Sequence, residues 1–280
     1  MTIRQVLTLF RKSAVSWNED DCASMGAAIA YYTLFSVAPL LVIVISLAGL
    51  IFGRDAAQGQ ILDQVRNLIG PIGAQAVEGI LERAQSKSIS GVGAVLGALM
   101  LVIGATTIFA ELHGDLNRIW RSPSPPKASG IWNLIRTRIL SLGMILCIGF
   151  LLIVSLTVSA ALAAAGDWWG GGLGWPIVVG AVNFVISLAT YTVAFAMLFK
   201  FLPRVPIRWH DVWTGAVLTA ILFQIGKFLI GLYLGINVTE AFGAAGSLVV
   251  LLIWLYYSAQ IFLFGAEFTA VYAHRRGARG

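Results

Sequence analysis

The chain has little of what assembles a reactive site. It carries two cysteines, three histidines and a charged fraction of only 11%, against roughly a quarter in an average soluble domain. Cys22 precedes the first apolar run and Cys147 sits inside the third. Neither is placed for a disulfide in an oxidising compartment, and both read as small hydrophobes. His113, His210 and His274 fall at the ends of different apolar runs, and only His210 has an adjacent carboxylate, Asp211. There is no His-x-x-x-His or Cys-x-x-Cys spacing, no Walker lysine loop and no Gly-x-Ser-x-Gly elbow. The sequence thus predicts no catalytic residue, no metal site and no cofactor, and the chain is not expected to be an enzyme.

What it has in abundance is apolar sequence: 58% of residues, with a mean hydropathy of +0.85. Six long runs carry it, at Met25–Phe52, Gly91–Leu112, Ile139–Ala165, Ile177–Phe199, Val212–Leu234 and Gly246–Ala273. Each meets or exceeds the ~20 apolar residues a helix needs to cross a bilayer. They are apolar all round rather than striped, which suits lipid on one side and packed protein on the other. The predicted fold is therefore an all-α membrane protein with six transmembrane helices. The first, third and sixth runs exceed the required length, which implies tilt or projecting ends. The 24 mostly polar residues before the first run, and the length of that run, argue against a cleavable signal peptide.

Charge supplies the orientation. Fourteen of the 19 Lys and Arg residues lie before run one, after run two, after run four or after run six. Four (Arg54, Arg66, Arg83 and Lys87) follow run one, and Lys227 lies within run five. The positive-inside rule then places both termini in the cytoplasm. A fusion reporter scoring the C-terminus outside overturns that topology. The pI near 9.6 does not point to nucleic acid, because the basic residues are spread over run ends, where topology and anionic headgroups require them.

Residues 1–20 form one expected unit. Ile3, Val6, Leu7, Phe10, Ala14 and Trp17 recur at helical spacing, with Arg4, Arg11 and Lys12 mostly off that stripe. This predicts an amphipathic helix on the cytoplasmic membrane face. Residues 21–280 form the six-span membrane domain. Within it, 53–90 reads as an extracytoplasmic helical hairpin broken at Gly70-Pro71, either capping a cavity, contacting a partner or simply packing on the bundle. Pro39 kinks run one; the kink shapes a cavity or hinge, or is a fixed bend. Pro123, Pro125 and Pro126 make an extended spacer, and Trp132, Arg136 and Arg138 anchor run three. Trp168, Trp169 and Trp175 bracket a glycine-rich outer turn, and Pro203 and Pro206 mark a tight inner one. Gly93–Gly97 and Gly231–Gly235 are small-xxx-small spacings that permit close helix contact.

Ionisable groups inside a membrane point to function by default. Lys227 and Glu267 are the obvious pair, yet at 1.5 Å per residue they sit ~22 Å and ~9 Å from the inner face, a mismatch of ~13 Å. Groups at the depth of Glu267 are Tyr31, Tyr32, Glu111 and His113; Lys227 matches Gln260 and Tyr256. These two polar layers suit a transport pathway. The alternative is satisfied interhelical hydrogen bonds and a snorkelling lysine. Asn183 and Gln224 read as packing polars.

Three segments then resemble a known family. They are Ala27-Ala-Ile-Ala-Tyr-Tyr-Thr-Leu-Phe-Ser-Val-Ala-Pro-Leu-Leu41, Glu111-Leu-His-Gly-Asp-Leu-Asn-Arg-Ile-Trp120, and Phe242-Gly-Ala-Ala-Gly-Ser247 leading to Trp254-Leu-Tyr-Tyr257 and Gly265-Ala-Glu-Phe268. Together they resemble the YihY/BrkB family of bacterial inner-membrane proteins, from about Asp21 to Tyr272. The resemblance implies six helices with cytoplasmic termini and links to serum resistance and envelope lipid export. Many members carry the label ribonuclease BN; soluble nucleases of that name use a His-x-His-x-Asp-His cluster that this chain lacks. Tyr31, Tyr32, Pro39, Glu111, Asn117, Trp254, Tyr256, Tyr257 and Glu267 occupy signature positions, and no catalytic role transfers with them. The expected function is a transporter or flippase of an amphipathic lipid or small anionic cargo, with membrane lipids as partners. Tyr31, Tyr32, Pro39, Glu111, Lys227, Tyr256, Gln260 and Glu267 are its pathway candidates. The alternative is a non-transporting membrane scaffold for envelope biogenesis.

Overall fold

The computed structural model describes residues 3–85, 92–122, 175–242 and 246–275, with a few positions between 139 and 158. Side-chain surroundings at 92–102 and 231–242, among some others, are outside that description, as is the packing around Gly93–Gly97 and Gly231–Gly235. The regular elements among the described residues are all helices: α1 (Ile3–Glu19), α2 (Cys22–Phe52), α3 (Arg54–Gln85), α4 (Val92–Ile119), α5 (Trp175–Phe201), α6 (Trp209–Phe242) and α7 (Gly246–Arg275). The chain is an all-α membrane protein. Three helical stretches, Val178–Phe201, Trp209–Ile230 and Gly246–Arg275, are long and apolar enough to cross a bilayer, and α2 is a fourth if its two arms count as one span. From Val92 on, the second predicted run falls within α4, whereas most of the third lies outside the described residues, as do the proline spacer, Trp132, Arg136, Arg138 and the outer turn at 170–174.

Helix α7 is the centre of the assembly, packing against α6, α2, α1, α3 and α4. Its core face is built from Ala259, Ala266, Ala270 and Ala273 with Phe262 and Leu263. Small residues let neighbouring backbones approach, which matters where lipid offers no hydrophobic drive between helices. The outer faces are the reverse of a soluble protein's. Val217, Ile221, Ile225 and Phe228 form an exposed stripe on α6, and Phe184 and Val185 are exposed on α5. A continuous apolar surface of this kind is stable facing lipid tails.

Pro39 does bend its helix. The arms Cys22–Val37 and Pro39–Ser46 of α2 meet at 48°, because the proline ring removes a backbone donor and crowds the preceding turn. Pro39 also packs against Gly104 of α4. Helix α3 breaks at Gly70, whose backbone (φ 78, ψ 171) is non-helical and left-handed, a conformation glycine adopts without a Cβ clash. Leu62 and Ile69 before the break, and Val77 and Leu81 after it, join one apolar cluster with Leu41, Ile45, Leu251 and Leu255 of α2 and α7.

Helix α1 packs on α7 through Phe10 of the predicted stripe and through Leu9 and Ser13, which lie off it. Leu9 and Ser13 are fully buried, while Val6, Leu7 and Val15 stay exposed. The Ser13 hydroxyl donates to the Leu9 carbonyl at 2.9 Å, so a polar residue enters the seam already satisfied. Leu9 clusters with Phe268 and Tyr272, and the Phe10 ring lies 6.0 Å from Phe264 and 5.4 Å from Phe268.

Candidate functional site

Where α1, the end of α4 and the last turns of α7 meet, they enclose a cavity of about 510 Å³. Helix α1 lines it with Thr8, Leu9, Lys12 and Ser16, the α1–α2 joint with Asp20, the end of α4 with Ile119 and Arg121, and α7 with Glu267, Ala270, Val271, His274 and Arg275. Spacing explains the two helical walls. Residues 8, 12 and 16 fall on one side of α1, and 267, 270, 271 and 274 on one side of α7.

Glu267 is the buried member, only 2% exposed. The Cys22 thiol donates to its Oε1 at 3.8 Å, and Asp20 and Arg121 line the same cavity. Around the Asp20 and Glu267 carboxyls stand the cations Lys12, Arg121 and Arg275. His274 lies against Trp120, ring centroids 6.1 Å apart. Its Nδ1 faces the Ala270 carbonyl at 2.7 Å and therefore carries hydrogen, which leaves Nε2 as the variable nitrogen.

The backbone is strained at both corners of the cavity. Among the described residues the non-glycine positions with positive φ are Asp21 (58°) and Arg121 (47°). Arg121 closes α4 by a Schellman motif: its N–H donates to the Arg118 carbonyl and the Ser122 N–H to the Asn117 carbonyl, each at 2.9 Å. Glycine normally fills that left-handed position, and a side chain there costs about 1–2 kcal/mol. Strain of this kind clusters at functional sites, and here it sets the Arg121 side chain into the cavity wall.

Behind the cavity, α4 is tied to the α5–α6 turn. Asn117 Oδ1 accepts from the Arg204 N–H at 2.8 Å, and His113 Nδ1 donates to the Leu202 carbonyl. Burial pulls His113 below the usual histidine range, opposed by that carbonyl and reinforced by Arg204. Asp115 is 8% exposed, its Oδ2 lacks a protein partner, and it lies in electrostatic range of Cys22. Burial, then the neighbouring Glu111 carboxylate, push Asp115 up to about 7 against the pull of Arg118.

The match with known proteins covers nearly the same length as the fold. The family described as Virulence factor BrkB matches residues 14–280. The chain belongs to that family. It is 30% identical over 253 residues to a UPF0761 membrane protein of Pseudomonas aeruginosa (strain LESB58), covering 88% of this chain and 58% of that protein. A Rhodospirillum centenum UPF0761 membrane protein is 28% identical over 259 residues, 91% of this chain and 54% of its own length. One from Psychromonas ingrahamii is 26% identical over 277 residues, at 96% and 88%. The chain thus spans little more than half of the first two. These names state a membrane protein and no activity. No solved structure matches.

Of the residues singled out from sequence in this BrkB-family chain, Glu267 lies in the cavity and the others line other surfaces. Tyr31 is 57% exposed and Tyr32 also exposed, their rings 5.7 Å apart. Matching depth brought Tyr31 to Glu267 on paper. However, Tyr31 is nine residues beyond Cys22, which at about 100° per residue sends it out of the opposite side of α2. Gln260 donates through Nε2 to the Ala23 carbonyl at 3.3 Å and packs on Gly26. Tyr256 is exposed. Lys227 is half-buried, and no described group forms an ion pair or hydrogen bond with it. Glu111 is half-buried beside Asp115, and Pro39 marks the bend. Lys12, Asp20, Arg121 and His274 were absorbed by the charge count or the helix ends. Cys22 was read as a hydrophobe.

Proposed function

We propose that this chain is a bacterial inner-membrane protein, both termini in the cytoplasm, that receives an anionic amphipathic lipid by its headgroup and moves it across the bilayer. The observation that carries the reading is the α1–α4–α7 cavity, with Lys12, Arg121 and Arg275 set around a buried Glu267. Cations around a partly enclosed pocket attract an anion and hold it more strongly than the same charges in open water. The cavity's size falls within the usual range of about 300–1,000 Å³ for a small-ligand site. By charge asymmetry this end of the bundle faces the cytoplasm, where anionic headgroups are concentrated. The bend at Pro39 offers a joint about which the α2 arms can move.

The test is leaflet-to-leaflet movement of a fluorescent anionic phospholipid in liposomes holding the purified protein, wild type beside Glu267→Gln. Movement by the wild type and its loss in a folded variant is the expected result. Absence of movement in the wild type, with the protein folded, removes the transport reading and leaves a scaffold role.

A further inference from the structure

Resting on that reading of the cavity, we infer that the lipid it takes is an anionic aminophospholipid, whose headgroup carries an ammonium beside its anionic groups, as in phosphatidylserine. The lining is not that of a plain anion pocket. Lys12, Arg121 and Arg275 share it with the carboxylates of Asp20 and Glu267. Both carboxylates stand at the α1–α2 joint. Asp20 continues the last turn of α1, its N–H donating to the Ser16 carbonyl at 2.9 Å, and Glu267 accepts from the Cys22 thiol two residues further on. Lys12 lies eight residues before Asp20 and Arg275 eight residues after Glu267. Each is thus ~12 Å from that corner along its own helix, at a rise of about 1.5 Å per residue. The ion pairs among the described residues are Arg66–Asp63 and His210–Asp211; none joins two groups of the cavity. Opposite charges therefore face one space without neutralising one another.

A ligand of one sign does not suit such a lining. A lone phosphate drawn in by the cations meets the Asp20 and Glu267 oxygens, and at 2% exposed Glu267 has little water to screen the contact. A lone ammonium meets three cations. A headgroup holding both signs is favoured at each end. Its anionic groups take Lys12, Arg121 and Arg275, and its ammonium, with N–H donors on every side, takes the carboxylate corner. Hydrogen bonds between charged groups are the strong class, and here they leave no charge on either partner facing an apolar wall alone. Cations outnumber carboxylates on the lining, so the matching headgroup is anionic overall. Phosphatidylserine has that balance, with a phosphate and a carboxylate against one ammonium.

The experiment is calorimetric titration of the protein in phosphatidylcholine nanodiscs, with empty nanodiscs subtracted. Dihexanoyl phosphatidylserine and dihexanoyl phosphatidylglycerol carry the same net charge, and only the first has an ammonium. Wild type is expected to prefer the serine lipid by about tenfold or more, the size of one charged hydrogen bond. In Glu267→Gln the two affinities should converge. Asp20→Asn, at a less buried position, should narrow the gap as well and serves if Glu267→Gln does not fold. Lys12→Ala should weaken both lipids. A third probe, sn-glycero-3-phosphoserine, carries the serine headgroup without chains. Its binding at the lipid's affinity makes the site one for the free headgroup, and binding of the lipid alone makes it one for a membrane-borne headgroup; either, with the serine preference, supports the inference. Equal affinity for the two lipids, a preference for phosphatidylglycerol, or a serine preference kept in both Glu267→Gln and Asp20→Asn overturns it and leaves the anion site standing. Binding of neither lipid overturns the proposed function with it.

Discussion

Thr219 of α6 packs onto Gly265 of α7, and Thr269 of α7 packs back onto Gly215 of α6. The two Gly-x-x-x-Thr turns face each other across an antiparallel seam. Each hydroxyl bonds within its own helix, Thr219 to the Gly215 carbonyl and Thr269 to the Gly265 carbonyl, both at 2.7 Å. Both threonines are fully buried, so the seam is dry, close and free of unsatisfied donors. Glu267 lies between Gly265 and Thr269 on α7, so this lock sets the azimuth at which its carboxyl faces the cavity.

A methyl group at Gly265 or Gly215 lands on a threonine side chain. Overpacking of this kind costs about 1–3 kcal/mol. Gly265→Ala is therefore expected to lower the thermal midpoint of the detergent-solubilised protein, and Thr219→Ala added to it should recover most of the loss, because the pair shares one contact. If Gly265→Ala melts with the wild type, the helices are not in the close contact described.

Asp115 gives stability a pH dependence of known sign. Its carboxyl is pushed up to about 7 in the folded chain against 3.8 for a free aspartate, so the folded state holds the proton more tightly than the unfolded one. The associated stability is complete below about pH 4 and is lost as pH rises through 7. Asp115→Asn removes the titration. The variant should be more stable than wild type at pH 8 by several degrees in thermal midpoint and little changed at pH 4.5. The reverse order at pH 8 would show that the Asp115 carboxylate has a partner in the folded protein.

Much of the architecture was legible because it follows from hydropathy. The last three apolar runs marked the spans Val178–Phe201, Trp209–Ile230 and Gly246–Arg275, and the first marked α2, a span if its two arms count as one; Pro39 marked the bend in α2 and Gly70-Pro71 the break in α3. The site was less legible, for reasons that residues make plain. Depth along a helix can be counted from sequence, but azimuth against a neighbour cannot; Tyr31 and Glu267 agree in depth and fail in direction. The Gly215–Thr219 and Gly265–Thr269 seam is a small-xxx-small spacing in which threonine stands for the second glycine, a weaker signal than Gly231–Gly235. Arg121 gives no warning that it occupies a glycine's backbone position, since that depends on where α4 stops. Lys12, Arg121 and Arg275 were visible as basic residues, and the charge rule explained them before anything required them to share a wall.

Helix α1 supplies one wall of the cavity and is held mainly by Leu9 and Phe10 against Phe264, Phe268 and Tyr272. A buried leucine truncated to alanine typically costs about 2–5 kcal/mol. Here the loss should fall on local docking, because α1 leans on α7 while the rest of the bundle holds itself. Leu9→Ala is thus expected to raise hydrogen exchange across residues 3–19, with exchange in the α6–α7 seam unchanged. Leu7→Ala, at an exposed position of the same helix, should change neither in detergent. Were Leu9→Ala to leave exchange in α1 at the wild-type level, α1 would be held by something other than the Leu9–Phe268–Tyr272 contact. The cavity would then have a firmer wall than its packing implies.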